Sequence, residues 1–93
     1  MDIFGKLVEK IVKAQEGIIG PVALDQARKV HGLKVDLQKH EVTFVGDQKD
    51  IVEKLVEQYR ELFGRASVEV CKDAVKGIVS QVPKGQLPSL LQQ

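Results

Sequence analysis

Apolar residues in the first part of the chain recur every three or four positions. Ile3, Phe4, Leu7, Val8, Ile11 and Val12 share one helical face, with Lys6, Glu9, Lys10 and Lys13 opposite. This spacing predicts an amphipathic helix over residues 2–16, with Asp2 as its N-cap and Gly17 as its stop. After the apolar link Ile18-Ile19, Gly20-Pro21 opens a second helix, because proline fits the first turn, where its missing N–H leaves no bond unmade. Val22, Ala23, Ala27 and Val30 form its inward face, and Gly32 stands where a left-handed C-terminal residue belongs. The period then drops to two. Leu33, Val35 and Leu37 alternate with Lys34 and Asp36, and Val42 and Phe44 alternate with Glu41, Thr43 and Val45. That is a β-hairpin turning at Gln38-Lys39-His40.

Helical spacing returns after Gly46-Asp47. Ile51, Val52, Leu55, Val56, Tyr59, Leu62 and Phe63 lie on one face against Glu53, Lys54, Glu57, Arg60 and Glu61. Asp47 is the expected N-cap, Asp50 sits in the electropositive first turn, and Gly64 is the expected stop. Residues 65–82 admit two readings. Val68, Cys71, Val75, Ile78 and Val82 fit a helix, while Ser67–Cys71 also fits a short strand that would make a crossover with the hairpin. Pro83 ends that element.

The expected fold is therefore α+β: two N-terminal helices, a β-hairpin, a long amphipathic helix and a C-terminal helix. It forms one domain over residues 1–82, with a loose tail over 83–93. Two strands are marginal in water, so the hairpin must lean on helices or gain a third strand.

Ninety-three residues suffice for one domain with a modest core. Only Phe4, Phe44, Phe63 and Tyr59 are aromatic, so that core is built mainly from Val, Leu and Ile. With 14 basic and 13 acidic residues the net charge is +1, which argues against indiscriminate nucleic-acid binding. Cys71 is the only cysteine, which excludes an intramolecular disulfide and an all-Cys metal site. No signal-peptide pattern opens the chain, and no apolar run approaches the roughly 18 residues of a spanning helix. The expected location is cytoplasmic.

The stretch GIIGPVALDQARKV, followed by VDL, VTFV and GDQKDIVEKL, resembles a KH nucleic-acid-binding domain over roughly residues 10–63. Ile18-Ile19-Gly20 matches the start of that family's helix-joining loop, and the order helix, loop, helix, strand, strand, helix also matches. The second loop glycine is replaced by Ala23, the loop has no Lys or Arg, and no strand precedes the first helix. The resemblance implies a groove for single-stranded RNA or DNA along the second helix and adjacent strand, using Gly20, Arg28, Lys29 and Lys34, with Lys39 adding local charge.

Candidate chemistry is sparse. His31 and His40 flank the first strand without a metal-ligand spacing. Cys71 falls on the apolar spacing of a core thiol, with no adjacent base. Glu53, Glu57 and Glu61 form a solvated helical row rather than a general acid–base pair. No phosphate-binding glycine loop is present. The expectation is a non-enzyme without a cofactor or metal.

The sequence points instead to a protein-interaction or assembly module that self-associates as a dimer, because the apolar helical faces outnumber what one small sheet can cover. The expected contact surface combines the first helix with the last helix and tail: Ile3, Phe4, Leu7, Leu87, Leu90 and Leu91. Leu87, Leu90 and Leu91 carry the Leu-x-x-Leu-Leu spacing of docking helices. A third reading places the first helix, with Phe4 on its apolar face and lysines opposite, on a membrane surface.

Overall fold

In the computed structural model, residues 1–92 are described. Asp2 caps the first helix, its Oδ1 accepting the Gly5 N–H at 2.8 Å. The helix, α1, covers Ile3–Ile19 and runs past Gly17, where the sequence predicts its end. An added Cβ at Gly17 would meet nothing within 4 Å, so this glycine lies on an exposed helical face and is merely tolerated. The stop is Gly20: its N–H still makes the helical bond to Glu16 O at 2.9 Å, but its φ of +73° turns the chain after it out of the helix.

Pro21 then caps a short helix, α2 (Val22–Ala27), which ends sooner than the pattern predicts. Beyond it the backbone tightens into turns, Lys29 N–H to Gln26 O and Val30 N–H to Ala27 O, both 3.1 Å. Gly32, at φ +85°, swings the chain into β1 (Leu33–Asp36), which pairs antiparallel with β2 (Glu41–Phe44). The register sets Leu33 against Phe44 and Val35 against Val42 on the core side. Lys34 with Thr43 and Asp36 with Glu41 face outward, so alternation along each strand is what buries one face of the pair. The turn is held by Asp36 Oδ1, which accepts the Lys39 N–H at 3.1 Å, and His40 takes up φ +54°.

Asp47 caps α3 (Gln48–Phe63) through the Asp50 N–H at 3.0 Å, and Gly64 ends it as expected. Gly64 also opens the next helix, α4 (Arg65–Val75), so Ser67–Cys71 is helical rather than a crossover strand. The three-four spacing prevails because Val68, Cys71 and Val75 turn together into the interior. Beyond Val75 the helix gives way to turns and a 3-10 turn at Val79–Gln81.

The core lies where α1 meets α2, α3, α4 and β2. Leu7, Val8, Ile11, Val12, Val52, Leu55, Val56, Tyr59, Cys71 and Val75 are completely buried there. The hairpin leans on α1 and α2, which answers how two strands persist.

The last segment is docked, not loose. Pro88 and Leu91 are buried, and Leu87 and Leu90 are partly buried against the core. A 3-10 turn at Ser89–Leu91 presents its N–H and hydroxyl groups to α3. The apolar side chains of the tail gain more from this contact than from water, which propensity along the chain does not reveal.

Candidate interaction surface

The site is built by two helices that start together. Gln48 Nε2 donates to Asp2 Oδ2 at 2.7 Å, tying the first turn of α3 to the N-cap of α1. Both helices contribute to the same core, and they have 17 and 16 residues. At about 1.5 Å per residue each is roughly 25 Å long, so their C-terminal ends emerge at the same end of the molecule. Two buried bonds confirm it. Gln15, near the end of α1, donates through Nε2 to Ser67 O at 3.1 Å, in the first turn of α4. Tyr59, near the end of α3, donates its hydroxyl to Ala23 O at 2.7 Å, at the start of α2.

Large apolar side chains project from this end. Ile18 is 64% exposed, Leu62 50%, Val22 42% and Phe63 39%. Met1 and Val45 are the other large apolar residues left in water. Val45 lies at the opposite end, its carbonyl close to Gly32 and beside the start of α3. Gathered at one end of the molecule, such side chains make a candidate interaction surface. Its surroundings carry both signs of charge, with Glu16, Asp25 and Glu61 exposed alongside Arg60 and Arg65.

Behind the cluster is a buried polar seam. Gln15 Nε2 also reaches Cys71 Sγ at 3.4 Å, and no buried side-chain polar atom among the described residues lacks a partner. Burial raises the Cys71 thiol to a pKa of about 11, against a lowering by the Gln15 bond. Burial, followed by the charges of Cys71 and Glu16, also pushes the Tyr59 phenol above its ordinary range. Both groups are therefore neutral at ordinary pH and pack the interior with their polar handles bonded. On the far face, Glu9 accepts from His40 Nδ1 at 2.8 Å, with Lys13 Nζ at 3.6 Å. The His40 bond, and then the Lys13 charge, hold the Glu9 carboxyl below its ordinary range against the opposing effect of burial.

The residues that the sequence assigns to a partner fall elsewhere. Phe4 and Leu7 are buried in the core and Ile3 is partly buried against it; Leu91 is buried, and Leu87 and Leu90 are partly so. These positions serve the molecule's own interior. A helical apolar stripe covers whatever lies nearest, and for α1 that is α2, α3, α4 and β2. The face of α1 that the sequence could lay on a membrane is turned inward by the same packing. No helix among the described residues is long and apolar enough to cross a membrane.

The expected nucleic-acid residues are accessible but divided. Arg28, Lys29 and Lys34 are exposed, and Gly20 sits at the joint between α1 and α2. Arg28 borders a hollow with Leu24 and Asp36, whereas Lys29 borders a separate one with His31, Lys54, Glu57 and Glu61. Carboxylates share both. Among the described residues no cluster of His, Cys, Asp and Glu could hold a metal ion.

The exposed end cluster is only half legible in the sequence. Leu62 and Phe63 fit the inward stripe of their helix, and Ile18 reads as a linker. Nothing in the periodicity says that α1 and α3 run on beyond the elements that cover them. No protein family, no curated protein and no solved structure matches this chain.

Proposed function

We propose that this chain is a non-catalytic assembly module that self-associates through the helix-end cluster Ile18, Val22, Leu62 and Phe63. The observation that carries this reading is the shared start of α1 and α3 at the Asp2–Gln48 bond, which delivers apolar side chains from both to one exposed end. Fully burying an exposed apolar side chain is worth about 1.5–3 kcal/mol, and since these are already about half covered each would recover roughly 1 kcal/mol against its own copies. The mixed charges around the cluster suit a two-fold contact, where each acidic position of one copy can face a basic position of the other.

Gel filtration with light scattering tests the reading. The wild type is expected to show a dimer mass that rises with concentration, and Ile18→Asp/Leu62→Asp a monomer mass with unchanged thermal unfolding. A double variant that associates as the wild type does would remove this surface. Single-stranded nucleic-acid binding is the second reading, supported by the exposure of Arg28, Lys29 and Lys34. It requires salt-sensitive retention of oligonucleotides that Lys29→Glu/Lys34→Glu abolishes; retention unaffected by the variant counts against that site.

A further inference from the structure

The C-terminal segment is held by a small and chemically distinct set of contacts. Gly85 O accepts from Lys49 Nζ at 3.0 Å. The carboxylate of Glu53 takes two bonds from the next turn, one from Ser89 Oγ and one from the Leu90 N–H at 2.9 Å. Pro88 and Leu91 supply the apolar anchors and are buried, while Ser89 between them stays exposed. Both polar anchors, Lys49 and Glu53, come from one face of α3, and the apolar side of the segment also meets α4.

Open hollows flank the segment. One of about 540 Å³ is bordered by Val79, Leu87 and Leu91, and another of about 440 Å³ by Arg65, Val68 and Leu90. The connection from α4 first packs Ile78, Val79 and Val82 partly against the core, and only its last stretch, Pro83, Lys84, Gly85 and Gln86, is wholly exposed. So the segment lies across a trough as a strap on a short exposed tether, residues 83–86. Its recognition elements are a proline, a hydroxyl beside a backbone N–H that both reach one carboxylate, and a leucine three residues beyond the proline. All of them lie within Pro88–Leu91.

We infer that the trough between α3 and α4 is a receptor for this Leu-Pro-Ser-Leu-Leu turn, filled by the chain's own tail and able to take instead the tail of a second copy. The second copy is the occupant argued for because every copy carries a segment already complementary to Glu53 and the trough. Exchange also requires no contact that the structure lacks. The inference deepens the assembly reading and rests on it for the identity of the donor. The receptor itself stands on the strap contacts alone.

The test uses the full chain carrying Ser89→Glu, which sets a second carboxylate against Glu53 at an exposed position and leaves the core untouched. Faster amide exchange at residues 87–92, with helical content retained, is expected to show the strap released. A fluorescein-labelled peptide of residues 83–92 should then bind the variant saturably, and the wild type at least tenfold more weakly because its trough is filled. Adding Glu53→Ala to the variant should weaken peptide binding at least tenfold. The inference is overturned by a folded, released variant that does not bind the peptide, and by equal binding to both proteins. It is also overturned by an unreleased strap, or by loss of the whole fold with Ser89→Glu, since the segment would then be fixed core. Light scattering of the wild type reads the helix-end contact separately. A monomer whose opened trough still binds the peptide would remove the helix-end dimer and keep the receptor. A dimer without peptide binding would remove only the receptor.

Discussion

Replacing Cys71 with valine tests the interior through its response to alkali. The thiol is completely buried, and burial raises its pKa from 9.0 to about 11. A group with a raised folded-state pKa holds its proton more tightly when folded. Its contribution to stability is fully present below pH 9, where folded and unfolded chains are both protonated. It is lost as pH rises toward 11, because the unfolded chain releases the proton first. Each tenfold difference in proton affinity between the two states is worth about 1.4 kcal/mol, so the full loss is about 3 kcal/mol. Of this, about 2 kcal/mol is gone by roughly pH 10.5. Tyr59 loses stability in the same direction, beginning near its ordinary value of 10.0, but it is present in both proteins. Cys71→Val keeps the volume close and leaves Gln15 its bond to Ser67 O, so its cost at neutral pH should be about 1 kcal/mol. Urea unfolding followed by circular dichroism, near neutrality and again at roughly pH 10.5, decides the matter. The wild type should lose about 2 kcal/mol more than the variant across that interval. Parallel losses would show that the thiol is not held in a dry interior and would refute the placement of α4 against α1.

Other consequences concern the backbone and the caps. Gly32→Ala should destabilise the fold by about 2 kcal/mol, since φ is +85° and the new Cβ would collide with the Val45 backbone carbonyl. Gly17→Ala, in open space within α1, should stabilise it by about 0.5–1 kcal/mol; thermal unfolding reads both, and equal signs would contradict the helix boundary at Gly20. Tyr59→Phe removes the 2.7 Å bond to Ala23 O and should cost about 1 kcal/mol in urea unfolding. The Asp2 carboxyl is held below its ordinary 3.8 by the Gln48 bond first and the Gly5 N–H next. Its contribution is therefore present above pH 3.8 and lost as pH falls through the lowered value. Asp2→Ala should cost about 1 kcal/mol at neutral pH and flatten the acid limb of a pH–stability curve.

Where the structure departs from the sequence reading, long-range contacts decide. The hairpin and α3 are legible because their signals are local: alternation within Leu33–Leu37 and again within Glu41–Phe44, Asp47 as a cap and Gly64 as a stop. At the end of α1, Gly17 and Gly20 offer the same local signal. Only the positive φ at Gly20 separates a stop from a tolerated glycine. The tail contains three leucines, two prolines and a glycine, with no period to follow. Its place is fixed by Glu53 and Lys49, residues more than thirty positions away. The candidate surface is hidden for the opposite reason. Leu62 and Phe63 obey the helical pattern, yet the neighbouring elements end before covering them. A stripe of apolar residues shows which way a helix faces but not how far its cover extends.

The central claim is that the helix-end cluster joins copies of this chain. Sedimentation equilibrium of the wild type beside Leu62→Asp, from micromolar to near-millimolar protein, tests it most directly. The account predicts a reversible monomer–dimer equilibrium for the wild type, and a monomer with the same far-ultraviolet spectrum for the variant. A wild type that stays monomeric across the whole range, or a variant with the same association constant, would contradict it.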